Sequence, residues 1–137
     1  MTFEEIAKQA PKTTTWQFTF NQAKRNLKTI DSFDYICGNI VKFTEKTNIS
    51  NETTVDNVEG FLMIAKLGIV IICPDENVIA PIIKLIYSRD IKTVEVESKL
   101  FGSFIRIRTD NSHYIFKVDK KELKEIDKAL TKARSNA

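Results

Sequence analysis

A single histidine and two cysteines cannot assemble a four-ligand metal site unless carboxylates join them, and the acids of this chain do not cluster that way. Four glycines offer no phosphate-cradling loop or dinucleotide turn, and no nucleophile elbow is present. No cofactor and no metal are therefore expected. Long apolar runs are missing too: the longest, Gly68 to Pro74, falls far short of the ~20 residues a membrane-spanning helix needs. The opening MTFEEIAKQAPK has two early acids and no apolar stretch, so it is not read as a secretory leader. Cys37 and Cys73 each sit in an apolar, strand-like run, and the expectation is two buried free thiols in a cytoplasmic protein. The net charge of +3 is too small to argue for nucleic acid, which is disfavoured as a partner. The positive surplus is dispersed over residues 61–137, with 14 basic against 10 acidic groups.

What is present is a series of alternating strands closed by one amphipathic helix, in a chain of 137 residues that fits one domain of ordinary size. Thr2 to Gln9 reads as a short helix capped by Thr2 and stopped by Pro11. In Thr13 to Phe20, Trp16, Phe18 and Phe20 alternate with polar residues, a period of two that predicts an extended segment. Asn21 then caps a helix from about Gln22 to Thr29. Strands are expected at Phe33–Thr44, Gly60–Leu67, Ile69–Pro74, Ile79–Ser88, Ile91–Glu97, Phe101–Arg108 and His113–Val118, with turns near Lys66–Gly68, Asp75–Asn77 and Asp110–Ser112. The polar stretch Glu45 to Asn57 reads as a long, mobile hairpin loop. Asp119 and Glu122 form a capping-box pattern before a helix to Arg134, whose stripe is Leu123, Ile126 and Leu130.

The fold class is thus mainly β (α+β): a seven-stranded antiparallel barrel or roll capped by a C-terminal helix, over residues 32–137. Residues 1–31 form a helical extension packed on it.

The core pattern of Gly60 to Ile64, Ile69 to Ile72, Ile86-Tyr-Ser-Arg-Asp-Ile91, Phe104 to Thr109 and Tyr114 to Val118, with the Lys/Glu-rich last helix, resembles bacterial pleckstrin-homology-like domains of the YokE and GRAM-like kind. The likeness spans about residues 33–134. It implies a fold used mostly as a binding scaffold, often for proteins. Two departures stand out. The family's Thr/Arg turn is Ala65-Lys66-Leu67-Gly68 here. The basic hairpin loop of inositol-phosphate binders is reduced to Lys42 and Lys46, diluted by Glu45, Glu52, Asp56 and Glu59.

Candidate sites follow from the faces of the strands. Arg106 and Arg108 share one strand face, with Lys117 on the neighbouring strand and Phe101 and Tyr114 nearby. They are the candidates for an anionic ligand, a lipid headgroup or nucleic acid, unless Glu95 and Glu97 pair with them. Residues 61–73 and 79–87 are apolar on both faces, so something must cover the second face. Trp16, Phe18, Phe20, Ile72 and Ile82 are the interface candidates, within the chain, in a homodimer or against another protein. His113 reads as a strand-entry histidine, not a general base. The reading is a non-enzymatic interaction module, with anionic-ligand or peripheral membrane binding as the alternative.

Overall fold

The computed structural model describes residues 3–9, 11–30, 32–74, 81–100 and 102–135. Helices α1 (Phe3–Gln9) and α2 (Thr14–Asn26) precede strands β1 (Tyr35–Ile36), β2 (Val41–Thr47), β3 (Thr53–Ala65), β4 (Gly68–Cys73), β5 (Ile82–Tyr87), β6 (Thr93–Lys99), β7 (Gly102–Arg108) and β8 (Ser112–Val118). Helix α3 (Leu123–Ser135) follows a short 3-10 turn. The expected cap Thr2, the turn Asp75–Asn77, the strand start at Ile79 and the ring of Phe101 lie outside the described residues.

All pairings are antiparallel, in the order β5-β4-β3-β2-β8-β7-β6, with β1 against β3. Strand β3 is the spine. Its first half, up to Gly60, pairs with β2; its second half, Phe61–Ala65, pairs with β4, and Met63 and Ile64 also meet β1. The chain passes from one sheet to the other at Gly60, where a Cβ would lie 2.7 Å from both Cys73 Sγ and Ile71 Cδ1. A larger residue there would have to displace both side chains. Strands β5 and β6 stand at opposite ends of the path and are not paired with each other, so the sheet is open.

The core has two compartments because the sheet made of β1, β4, β5 and the second half of β3 is covered on both sides. One side joins α3, through Ile126, Ala129, Leu130 and Ala133, to Leu62, Ile64, Ile69, Ile71, Ile105, Ile107 and Phe116. The other side packs Ile6, Trp16, Phe20 and Ala23 onto Phe61, Met63, Val70 and Ile72. This double cover explains the apolar residues on both faces of β4, every one of which is buried.

Four expectations are corrected. Residues 14–20 are helical, not extended, and continue through Asn21 to Asn26 as one helix: the Thr13 hydroxyl caps α2 by accepting from Trp16 N at 3.3 Å, and Trp16, Phe20 and Ala23 share its buried side. The stretch 33–44 is two strands, because the chain leaves the sheet at Cys37–Ile40, giving eight strands in place of seven. The 45–57 loop is largely strand. Thr47 N donates to Glu52 O at 2.9 Å, and Asn51 and Asn57, at φ 55° and 51°, supply the turn and a bulge. Glu122, lastly, is not the reciprocal half of a capping box, since its carboxylate points inward.

Candidate interaction surfaces

One opening among the described residues lies where the sheet fails to close. A cleft of about 410 Å³ runs along the free edge of β5, lined by Lys84, Leu85, Ile86 and Tyr87 on one side and by Thr109 to Ser112, Tyr114, Asp90 and Lys92 on the other. Four consecutive residues of one strand can line a cleft only if the strand's edge faces it, so backbone N–H and C=O groups border the opening. Lys84 reaches across its floor from β5: its Nζ lies 3.2 Å from Glu45 Oε1 and 5.5 Å from the centre of the Tyr114 ring. Burial works against the ammonium's charge, but Tyr114 and Glu45 outweigh it and its pKa is raised. At the rim, Tyr87 is partly exposed, with the Arg89 guanidinium 4.7 Å over its ring.

A second surface is the outer face of the other sheet. Alternation along β7 buries Ser103, Ile105 and Ile107 and turns Phe104, Arg106 and Arg108 outward. The register then sets cross-strand rows: Lys42, Lys117, Phe104 and Glu97 in one; Ile115, Arg106 and Glu95 in the next; Lys46, His113 and Arg108 in a third. The candidate cations are therefore on one face but not in one cluster. Arg106 Nε is 3.3 Å from Glu97 Oε1, and its guanidinium lies 5.7 Å from the Phe104 ring. A hydrogen bond from Lys99, reinforced by Arg106, holds the Glu97 carboxyl below its ordinary range. Lys117 is exposed two residues beyond Ile115, beside Phe104. Among the described residues, Arg108, Lys46 and Lys117 make no ion pair.

The interface candidates divide. Trp16, Phe20 and Ile72 are buried inside this chain, Trp16 and Phe20 packing edge-on to Phe61 at 6.5 and 5.6 Å between ring centres. Ile82 is half-buried against the central core. Phe18 alone faces outward, 47% exposed.

Sequence reasoning missed the polar hub at Glu122. This buried carboxylate accepts from Gly38 N, from Tyr35 Oη and Cys37 Sγ, each at 3.1 Å, and from Asn39 Nδ2 at 3.3 Å. It ties the break between β1 and β2 to the start of α3, and the one sequence signal for it is an acid in the first turn of an otherwise well-marked helix. Burial and the Glu122 carboxylate together push the Cys37 thiol far up, and burial alone pushes Cys73 up to about 12. Among the described residues no three His, Cys, Asp or Glu side chains gather as a metal site. No described helix is long and apolar enough to cross a membrane.

No protein-family model and no curated protein matches this chain. Among solved structures it is similar to the Dm DCP1 EVH1 domain, determined in solution in complex with the XRN1 DBM peptide. The identity is 15% and the TM-score 0.52, over 93% of this chain and 94% of that one. At that identity the likeness is one of fold. The EVH1 domain has a pleckstrin-homology-like fold, and this chain shares it: an open antiparallel sheet of eight strands with a C-terminal helix.

Proposed function

We propose that this protein is a non-enzymatic interaction module that takes an extended segment of a partner protein along the free edge of β5. The observation that carries the reading is the cleft itself, bordered by a strand edge that has no pairing partner among the described residues and flanked by the rings of Tyr87 and Tyr114. Added strands gain main-chain hydrogen bonds from such an edge and side-chain selectivity from the pockets beside it. Lys84, held between Glu45 and Tyr114, gives the cleft one fixed, ion-paired side chain. The buried packing of Trp16 and Phe20 takes the apolar sheet face out of use for a homodimer, so the partner is a different protein. That a domain of like fold was solved with a peptide bound supports the class of function. The core positions from Gly60 to Val118 favour a bacterial, GRAM-like placing, and two free buried thiols suit a cytoplasmic setting.

The test is a peptide selection from a random library, followed by calorimetric titration of the selected peptides. Tyr87→Ala is expected to weaken binding by about tenfold, the scale of a lost aromatic contact, while Lys120→Gln, in the turn before α3, leaves it unchanged. Selected peptides whose affinity is indifferent to Tyr87→Ala and to Lys92→Glu would overturn the assignment to this edge.

A further inference from the structure

His113 is the one histidine of the chain, and it occupies an expensive position. It is 7% exposed, its Nε2 is buried, and that nitrogen has no hydrogen-bonding partner among the described residues. Buried ring nitrogens are normally satisfied, so an orphan of this kind asks what it is kept for. It lies on the opposite face of β8 from Tyr114 and therefore outside the β5 cleft.

The register places a cation on each side of it. Lys46 of β2 and Arg108 of β7 are its direct cross-strand partners, and facing side chains in adjacent strands stand about 5 Å apart at Cβ. Neither cation is paired with an acid among the described residues. The charged groups that bear on the imidazole are Arg108 and Arg106 from β7, Lys46 from β2 and Glu95 from β6. Arg106 is bonded to Glu97; Glu95 sits directly opposite Arg106 and is the one acid that acts on the imidazole, as the last and weakest of its charged neighbours, so the third row carries net positive charge.

We infer that Lys46, His113 and Arg108 form a binding site for a phosphate group, in which the guanidinium and the ammonium supply two fixed charges and the imidazole a third, titratable one. A guanidinium fork matches phosphate oxygens in pairs, an ammonium acts as a point charge, and a buried imidazole becomes a two-ended donor once protonated. A carboxylate has two oxygens and a phosphate four, so only the phosphate can bridge both cations and still keep an oxygen close to His113. Without an anion, burial first, then Arg108, Arg106 and Lys46, hold the imidazole pKa below its ordinary value, against the weaker pull of Glu95. A bound phosphate reverses that field. Protonation of His113 and anion binding therefore promote each other, by reciprocal linkage.

Because there is one histidine, its imidazole NMR signals are unambiguous. The experiment titrates them with pH on the full chain, at constant ionic strength, in millimolar inorganic phosphate and in the same concentration of acetate. Phosphate is expected to raise the His113 pKa by about one unit relative to acetate, equivalent to tenfold tighter binding to the protonated form. Arg108→Gln and Lys46→Gln, both on the protein surface, are expected to abolish the shift, and Lys120→Gln to preserve it. A His113 titration indifferent to phosphate, or shifted equally by acetate, would overturn the site. Vesicles of phosphatidylcholine with and without phosphatidic acid distinguish the source. Cosedimentation that needs phosphatidic acid and is lost in Arg108→Gln assigns the phosphate to a lipid headgroup; a phosphate shift without cosedimentation assigns it to a soluble ligand.

Discussion

At the scale of single residues, Glu122 gathers the densest set of hydrogen bonds among the described side chains. Four donors converge on one buried carboxylate, and each would be left without its partner if the oxygen atoms were removed. Glu122→Ala should lower unfolding free energy by about 3 kcal/mol, since orphaned buried donors cost ~1–3 kcal/mol each and relaxation recovers part of it. Urea denaturation checks this, and an effect below ~1 kcal/mol would mean that the hub is solvated. The two thiols make the second prediction. Cys37 and Cys73 are held protonated in the fold, with pKa values raised above the ordinary 9.0. Above about pH 9 the unfolded chain releases thiol protons that the folded chain retains, so it binds fewer protons and stability falls as pH rises. Below pH 9 the contribution is fully present. The matching observation is that both thiols resist a disulfide exchange reagent in native buffer at pH 8 and react together, at the rate of unfolding, in denaturant. Fast reaction of either one in the native state would contradict its burial.

At the scale of elements, α2 shows how a short aromatic pattern misleads. Trp16 and Phe20 are four apart, a spacing that satisfies both a two-residue and a 3.6-residue period, so the pair alone cannot choose between strand and helix. Phe18 is the discriminator: in a strand it would share their face, and in the helix it points away, 47% exposed. Trp16→Ala should therefore cost about 3–5 kcal/mol and Phe18→Ala less than ~0.5 kcal/mol, where a strand would make the two comparable. Thermal or chemical denaturation of the pair reads this directly. The β2–β3 hairpin is the companion case. Its polar composition suggests a loop, yet a strand with one solvated face needs no more apolar residues than Val55 and Val58 provide. Asn51 carries the turn at φ 55°. Asn51→Val should destabilise by about 1–2 kcal/mol, and Asn51→Gly should be neutral or slightly stabilising. Equal effects from the two would mean that the turn is not held in the left-handed region.

At the scale of the whole molecule, the helical N-terminus is a structural lid on one sheet. It takes Phe61, Met63, Val70 and Ile72 out of water within the same chain. The full chain should be monomeric by light scattering at micromolar concentration. A chain starting at Ser32 should associate or precipitate, because it would expose a contiguous apolar face. A soluble monomer after truncation would show that this face tolerates water. A dimer of the full chain would return Phe18, the exposed ring of α2, to consideration as a contact between copies.

The sequence by itself determined the antiparallel sheet, the placing of β4 to β8 to within a few residues over the described positions, and the closing helix, because each is marked by local chemistry: alternating side chains, turn residues such as Asp110-Asn111-Ser112, and a capped amphipathic stripe. It also indicated that the second face of β3 and β4 must be covered. Only the tertiary structure decided what covers it, where the sheet stays open, and which charged residues become neighbours. Those outcomes depend on register between strands far apart in the chain. Lys46, His113 and Arg108 belong to three separate local patterns and meet only when β2, β8 and β7 pair. A one-residue slip in either pairing would send one of the three to the buried side and leave no row at all.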